Sequence, residues 1–149
     1  MKVLLLLLAL GSVAVAFGQA KPQNNSSAVP LCHLLADAAK YDGTIVTVEG
    51  VYLKMPHGSV LTAPRCPLSP RPDVNLRSAP GFHQRDHVMK VLWSLTEKRE
   101  PVKVVLEGTL HVAEMEQGFG QGVEPYEIEV TRYLSAEAYS GQGPEKTPQ

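Results

Sequence analysis

Val46-Thr47-Val48-Glu49-Gly50 and Val104-Val105-Leu106-Glu107-Gly108 share one pattern: an apolar residue, a spacer, a second apolar residue, then Glu-Gly. Alternating apolar positions rich in β-branched side chains read as strands with one buried face. A glycine inside a strand weakens it, so its presence marks a bulge or a sharp bend. Long bent strands are what a small closed barrel needs.

Working outward, the first of these strands covers residues 44–53, and Pro56-His57-Gly58 turns it into a short strand over 59–63. Five prolines between residues 64 and 80 leave room only for a brief edge strand over 73–77. Residues 82–97 have helical periodicity, with Phe82, Val88, Met89, Leu92 and Leu95 on one face and His83, His87, Lys90 and Ser94 opposite. A long strand over 102–115 then alternates Val102, Val104, Leu106, Gly108, Leu110 and Val112, and a last strand turns Tyr126, Ile128 and Val130 inward. Before all of these, Pro30 opens a short helix carrying Leu31, Leu34, Leu35 and Ala38, which ends at Tyr41-Asp42-Gly43. The sum is a mainly β domain over residues 30–139: a five-stranded OB-like barrel with a short N-terminal helix and a second helix before strand 4. A β-sandwich fragment and an irregular α+β domain are the competing architectures.

The run Ala39-Lys40-Tyr41-Asp42-Gly43-Thr44, followed by Val46-x-Val48-x-Gly50, resembles the opening of small exported bacterial proteins with an OB-like barrel. Leu106-Glu107-Gly108 and Tyr126-x-Ile128 fit the later strands of that family. The resemblance, over residues 31–134, implies a fold and an exported location but no ligand or reaction.

The flanks speak to location. Lys2, the apolar run from Val3 to Leu10 and the small residues Gly11, Ser12, Ala14 and Ala16 have the layout of a secretory signal peptide, assigned to residues 1–20. Cleavage after Ala16 or after Ala20 fits equally. The run is short of the roughly 20 residues a membrane span needs, so a secreted or periplasmic protein without stable membrane insertion is expected. Residues 21–29 read as a polar linker, with Asn-x-Ser sequons at Asn24 and Asn25, and residues 140–149 as a disordered tail. Cys32 and Cys66 are the only cysteines, and in an oxidising compartment they pair with each other.

Chemistry is harder to find. The full chain has 14 Lys+Arg against 15 Asp+Glu, which gives no field to attract nucleic acid. Glu49, Glu107, Glu127 and Glu129 at outer strand positions argue further against it, although Lys103, Arg132 and Tyr133 share those strands. His83-x-x-Asp86-His87 places two histidines one helical turn apart, a spacing that can hold a metal, but the general-base position of a zinc protease is Gln84. Ser59, Ser69, Ser78 and Ser94 lack a nucleophile motif. The pairs Glu114/Glu116 and Glu127/Glu129 read as solvated exterior. Gly118, Gly120 and Gly122 join two strands and do not lead into a helix, so they do not form a phosphate loop. No enzyme and no cofactor are therefore expected. The leading reading is an exported binding module for a protein or small molecule, using the loops of a barrel through Met55, His57 and Phe119. A metal-binding protein built on His83, Asp86 and His87, and a structural component of an envelope assembly, are the alternatives.

Overall fold

The structure is a computed structural model that describes residues 27–68, 73–113 and 125–141. The leader, the sequons, Ser69, Glu114, Glu116, the glycine-rich tip with Phe119 and the tail beyond residue 141 lie outside these residues.

In chain order the elements are β1 (Val29–Pro30), α1 (Leu31–Ala36), a 3-10 turn (Ala38–Lys40), β2 (Ile45–Met55), β3 (Gly58–Thr62), β4 (Val74–Ser78), α2 (His87–Glu97), β5 (Val102–Val112) and β6 (Tyr126–Ala138). Strands β2 to β6 close on themselves in the order β2-β3-β4-β6-β5 and back to β2. All neighbours are antiparallel except β4 and β6, which run parallel from Asn75↔Glu127 to Ser78↔Val130. With a helix between its third and fourth strands, this is the OB-like barrel expected from the Glu-Gly strands.

The pleat holds throughout. On β5 the even positions from Val102 to Leu110 are buried, and the odd ones face outward. Strand β6 keeps the same alternation only because two extra residues are absorbed, at register shifts between Val105/Leu106 and between Glu107/Gly108. These bulges skip Leu134 and Thr131, so that Tyr133, Val130 and Ile128 all point inward. One apolar cluster fills the barrel. It takes Leu31, Leu34 and Leu35 from α1, Met89 and Leu92 from α2, and the inward residues of the strands.

Three local readings are corrected. Val29 belongs to β1, which pairs in parallel with Val48 of β2, and so is not part of the linker. The N-terminal helix stops at Ala36, where Asp37 leaves helical geometry, and the chain continues as a 3-10 turn. The second helix starts at His87, five residues later than its periodicity suggests, because Asp86 is its N-cap and accepts the Met89 N–H at 3.2 Å. Tyr41-Asp42-Gly43 is the turn after the 3-10 segment and not the helix stop: Gly43 has a positive φ of 69°, its N–H reaches Leu110 O, and the Asp42 carboxylate accepts the Val112 N–H at 2.9 Å.

Cys32 and Cys66 are joined, with Cα atoms 5.4 Å apart, and tie α1 to the segment after β3. The 34-residue separation makes this cross-link worth about 4 kcal/mol on chain-entropy grounds. Cys32 and Cys66 line one recess with Val51 and Thr62, a cross-strand pair that is buried although neither belongs to the interior cluster.

The two strand glycines serve close approach, each in its own way. A Cβ on Gly108 would lie 2.6 Å from the Glu129 carbonyl oxygen and 2.7 Å from Ile128 Cγ2, at the bulge in β6. A Cβ on Gly50 would lie 2.8 Å from Leu61 Cγ, in a stretch of β2 whose register with β5 is unbroken. Gly108 therefore faces backbone that cannot yield, and Gly50 a side chain that can. Gly108→Ala is expected to cost about 3 kcal/mol and Gly50→Ala about 1 kcal/mol, read as the difference between their chemical denaturation midpoints. Equal losses would reject this assignment.

Candidate functional site

The β2–β3 hairpin and the β5–β6 connection leave the barrel from opposite ends. Met55 lies beyond the Tyr52↔Val102 pair, whereas β5 runs past the Ile45↔Thr109 pair in the other direction. Met55 and His57 are thus brought together at one end, both exposed, with Met55 showing 47% of its surface. Phe119 lies outside the described residues.

At the hairpin end, Leu53, Lys54, Met55 and Pro56 face the C-terminal turn of α2 and its exit, Thr96, Glu97, Arg99, Glu100 and Pro101, across a groove of about 580 Å³. His57 does not line it. The wall opposite Met55 is built by a helix stop. Glu100 N–H bonds to Leu95 O and Arg99 N–H to Thr96 O, the two bonds of a Schellman motif. The residue at its left-handed position is Arg99, φ 58°, the one non-glycine residue with positive φ among those described. Side chains resist this region, and such outliers concentrate at binding sites. The result is an apolar floor of Leu53, Met55, Pro56 and Pro101 between charges of both signs.

The helical spacing behind the metal reading is absent from the structure. His83 precedes the helix, and His87 is its first residue, so the two do not share a helical face. The intervening polar groups are engaged elsewhere. Gln84 Nε2 donates to Tyr133 O at 2.6 Å and to Asp86 Oδ2 at 2.9 Å, and Gln84 Oε1 accepts the Tyr133 N–H at 2.7 Å. The Gln84 amide thereby acts as one rung of a ladder, extending the β4–β6 seam past Val130. Hydrogen bonds from Gln84 and from the Met89 N–H hold the Asp86 carboxyl below its usual pKa. Asp86 therefore remains ionised as helix cap. Among the described residues, no cluster of three His, Cys, Asp or Glu side chains is arranged to hold a metal.

The outer strand face carries the expected glutamates, most of them answered by cations. Arg77 spans Glu127 and Glu129 at 3.2 and 2.8 Å, and Lys103 bridges Glu49 and Glu137 at 3.2 and 3.4 Å. The Glu49 hydrogen bond raises the Lys103 pKa. Tyr133 is no stacking platform: it is 8% exposed, edge-on to both Tyr52 and Phe82, and burial raises its phenol pKa.

Sequence reasoning missed Arg99, Gln84 and the pairing of loop 79–86 with β6. The cap at Asp86 was readable as an Asp before an amphipathic run; the contact between Gln84 and Tyr133, 49 residues apart, left no local signal. A scan against protein-family models gives no match, and searches of curated proteins and of solved structures give none either.

Two stability predictions follow from this geometry. Gln84→Ala should cost about 2 kcal/mol for its two lost backbone bonds. Gln84→Glu should be worse at neutral pH, where a carboxylate meets the Tyr133 carbonyl, and should recover on acidification, when the acid can donate. A Gln84→Glu variant with the same midpoint at both pH values would remove the ladder role. Separately, Arg99→Gly should raise stability by about 1 kcal/mol by relieving the left-handed backbone, while Arg99→Ala should not. Both are read from urea midpoints.

Proposed function

We propose that this chain is an exported, non-catalytic binding module that accepts an apolar side chain of a polypeptide partner in the groove between the β2–β3 hairpin and the exit of α2. The single observation behind the reading is that groove: Leu53, Met55, Pro56 and Pro101 form its apolar floor, with Lys54, Glu97, Arg99 and Glu100 at its edges. Met55 stays about half exposed there, one of four large apolar side chains, with Ile45, Trp93 and Leu134, that the described residues leave on the surface, and the one of the four that lines this groove. Methionine suits a partner surface because its unbranched thioether adapts to many shapes. Edges bearing both charge signs beside an apolar floor complement a peptide better than a uniformly charged or purely apolar ligand.

Export is supported by the leader pattern in the sequence and by the Cys32–Cys66 disulfide, the kind of cross-link that persists in oxidising compartments. Among the described residues no helix is long and apolar enough to cross a membrane. A single-stranded nucleic acid partner is disfavoured by outward Glu49, Glu107, Glu127 and Glu129 and by the inward position of Tyr133.

The test is selection from a random peptide library displayed on phage, with the folded domain as bait. Enriched peptides should share an apolar anchor, and Met55→Asp should weaken their binding at least tenfold while Met55→Leu retains it and thermal stability holds in both. Peptides without a common anchor, or peptides that bind the Met55→Asp variant equally well, would overturn the reading.

A further inference from the structure

A second cleft, of about 550 Å³, lies between loop 79–86 and the bulged stretch Thr131–Arg132 of β6. Its basic side chains are His83, Arg85 and Arg132, and its one acid is Asp86. Lys40, Arg77 and Lys103 are each matched to carboxylates, but neither Arg85 nor Arg132 forms an ion pair among the described residues. Glu107, directly across from Arg132 in the ladder, does not pair with it; the Glu107 carboxylate instead lies 3.5 Å from the Thr131 hydroxyl. Asp86 is turned to the backbone of α2 and to Gln84.

Both arginines line this cleft, and the backbone that carries each is tied down. Arg85 sits between Gln84 and Asp86, both fixed by hydrogen bonds, and Arg132 precedes Tyr133. Because Gln84 and Tyr133 are bonded to each other twice, their chain neighbours Arg85 and Arg132 start from adjacent points of one rigid link. The loop is fixed upstream as well: Ala79 N–H bonds to Val130 O, and a Pro80-Gly81 turn with φ 76° at Gly81 closes with Phe82 N–H on Ala79 O. The bulge at Thr131 sets the path of β6 just before Arg132.

We propose that this cleft binds a phosphate group, gripped by the guanidinium forks of Arg85 and Arg132. One carboxylate is satisfied by one fork, whereas a tetrahedral dianion offers oxygens to two forks from different directions. It also carries the charge to match two arginines against the single Asp86. The phosphate comes either free or as the head of a monoester, and the cleft is open enough for the ester to extend outward.

The test uses isothermal titration calorimetry at low ionic strength on the folded disulfide-bonded domain, with inorganic phosphate, glycerol 3-phosphate and acetate as probes. Phosphate or its monoester should bind at low millimolar concentration or tighter and at least tenfold better than acetate; the tighter of the two identifies the source. Arg85→Ala and Arg132→Ala should each weaken binding at least fivefold, and the lysine variants, which keep charge but lose the fork, should fall between. Arg99→Ala changes net charge equally and should leave binding unchanged. Met55→Asp should do the same, which separates this site from the peptide groove. Absence of binding, acetate binding as tightly as phosphate, or equal losses in Arg99→Ala and the two cleft variants would each overturn the proposal. Thermal melts of every variant guard against misfolding, with lysine replacements standing in for any alanine variant that melts early.

Discussion

Barrel closure depends on β2 being shared. Its eleven residues pair with β5 from Ile45 to Tyr52 and with β3 from Val51 to Met55, so the strand is shared between β5 and β3 only at Val51 and Tyr52. Upstream of that overlap the edge left by β3 is taken by β1 at Val48 and Glu49. A sheet can close this way only if its central strand bends between neighbours without losing register. Gly50 sits just before the overlap and leaves Leu61 the space to enter the core. On the neighbouring strand β5, Gly108 lets β6 approach where a side chain would meet backbone. The glycines of the two Glu-Gly strands are thus two places where a neighbour packs too closely for a side chain.

That explains what could be read from the chain alone. The alternation of β2, β5 and β6 comes from burial on one face, which is a local property of sequence, and so the strands and their order were legible. Boundaries were lost where a long-range contact overrides local pattern. Val29 is a lone apolar residue in a polar stretch, and only its pairing with Val48 makes it a strand. Phe82 sits at helical spacing from the α2 face, yet its ring joins Tyr133 from a turn. The role first ascribed to both strand glycines, bending, holds at the Gly108 bulge and gives way at Gly50 to side-chain packing.

Site residues divide along the same line. Met55 and His57 were legible because a Pro-His-Gly turn between two strands must be exposed, and both are. The assignment of His83 and His87 to one helical face failed because Asp86 caps the helix between them. The cleft shared by Arg85 and Arg132 carried no local signal, since the loop is tied to β6 by a side-chain amide standing in for a peptide group.

Helix α2 links these observations. Its amino-terminal cap orders the loop that carries Arg85, and its carboxy-terminal stop, with Arg99 in left-handed geometry, builds the wall opposite Met55. Eleven residues of helix at 1.5 Å each separate its cap from its stop by about 16 Å. The helix is anchored to the core through Met89 and Leu92 and packs chiefly on β6, the strand that also supplies Thr131 and Arg132. Moving α2 along β6 would therefore disturb both recesses at once. Such motion is opposed at one end by the paired bonds from Gln84 to Tyr133 and at the other by the bond from Tyr139 N–H to Pro101 O. Both recesses therefore take their walls from one helix, and each end of that helix is tied to β6 by backbone groups of β6 or of its exit, Tyr133 at one end and Tyr139 at the other.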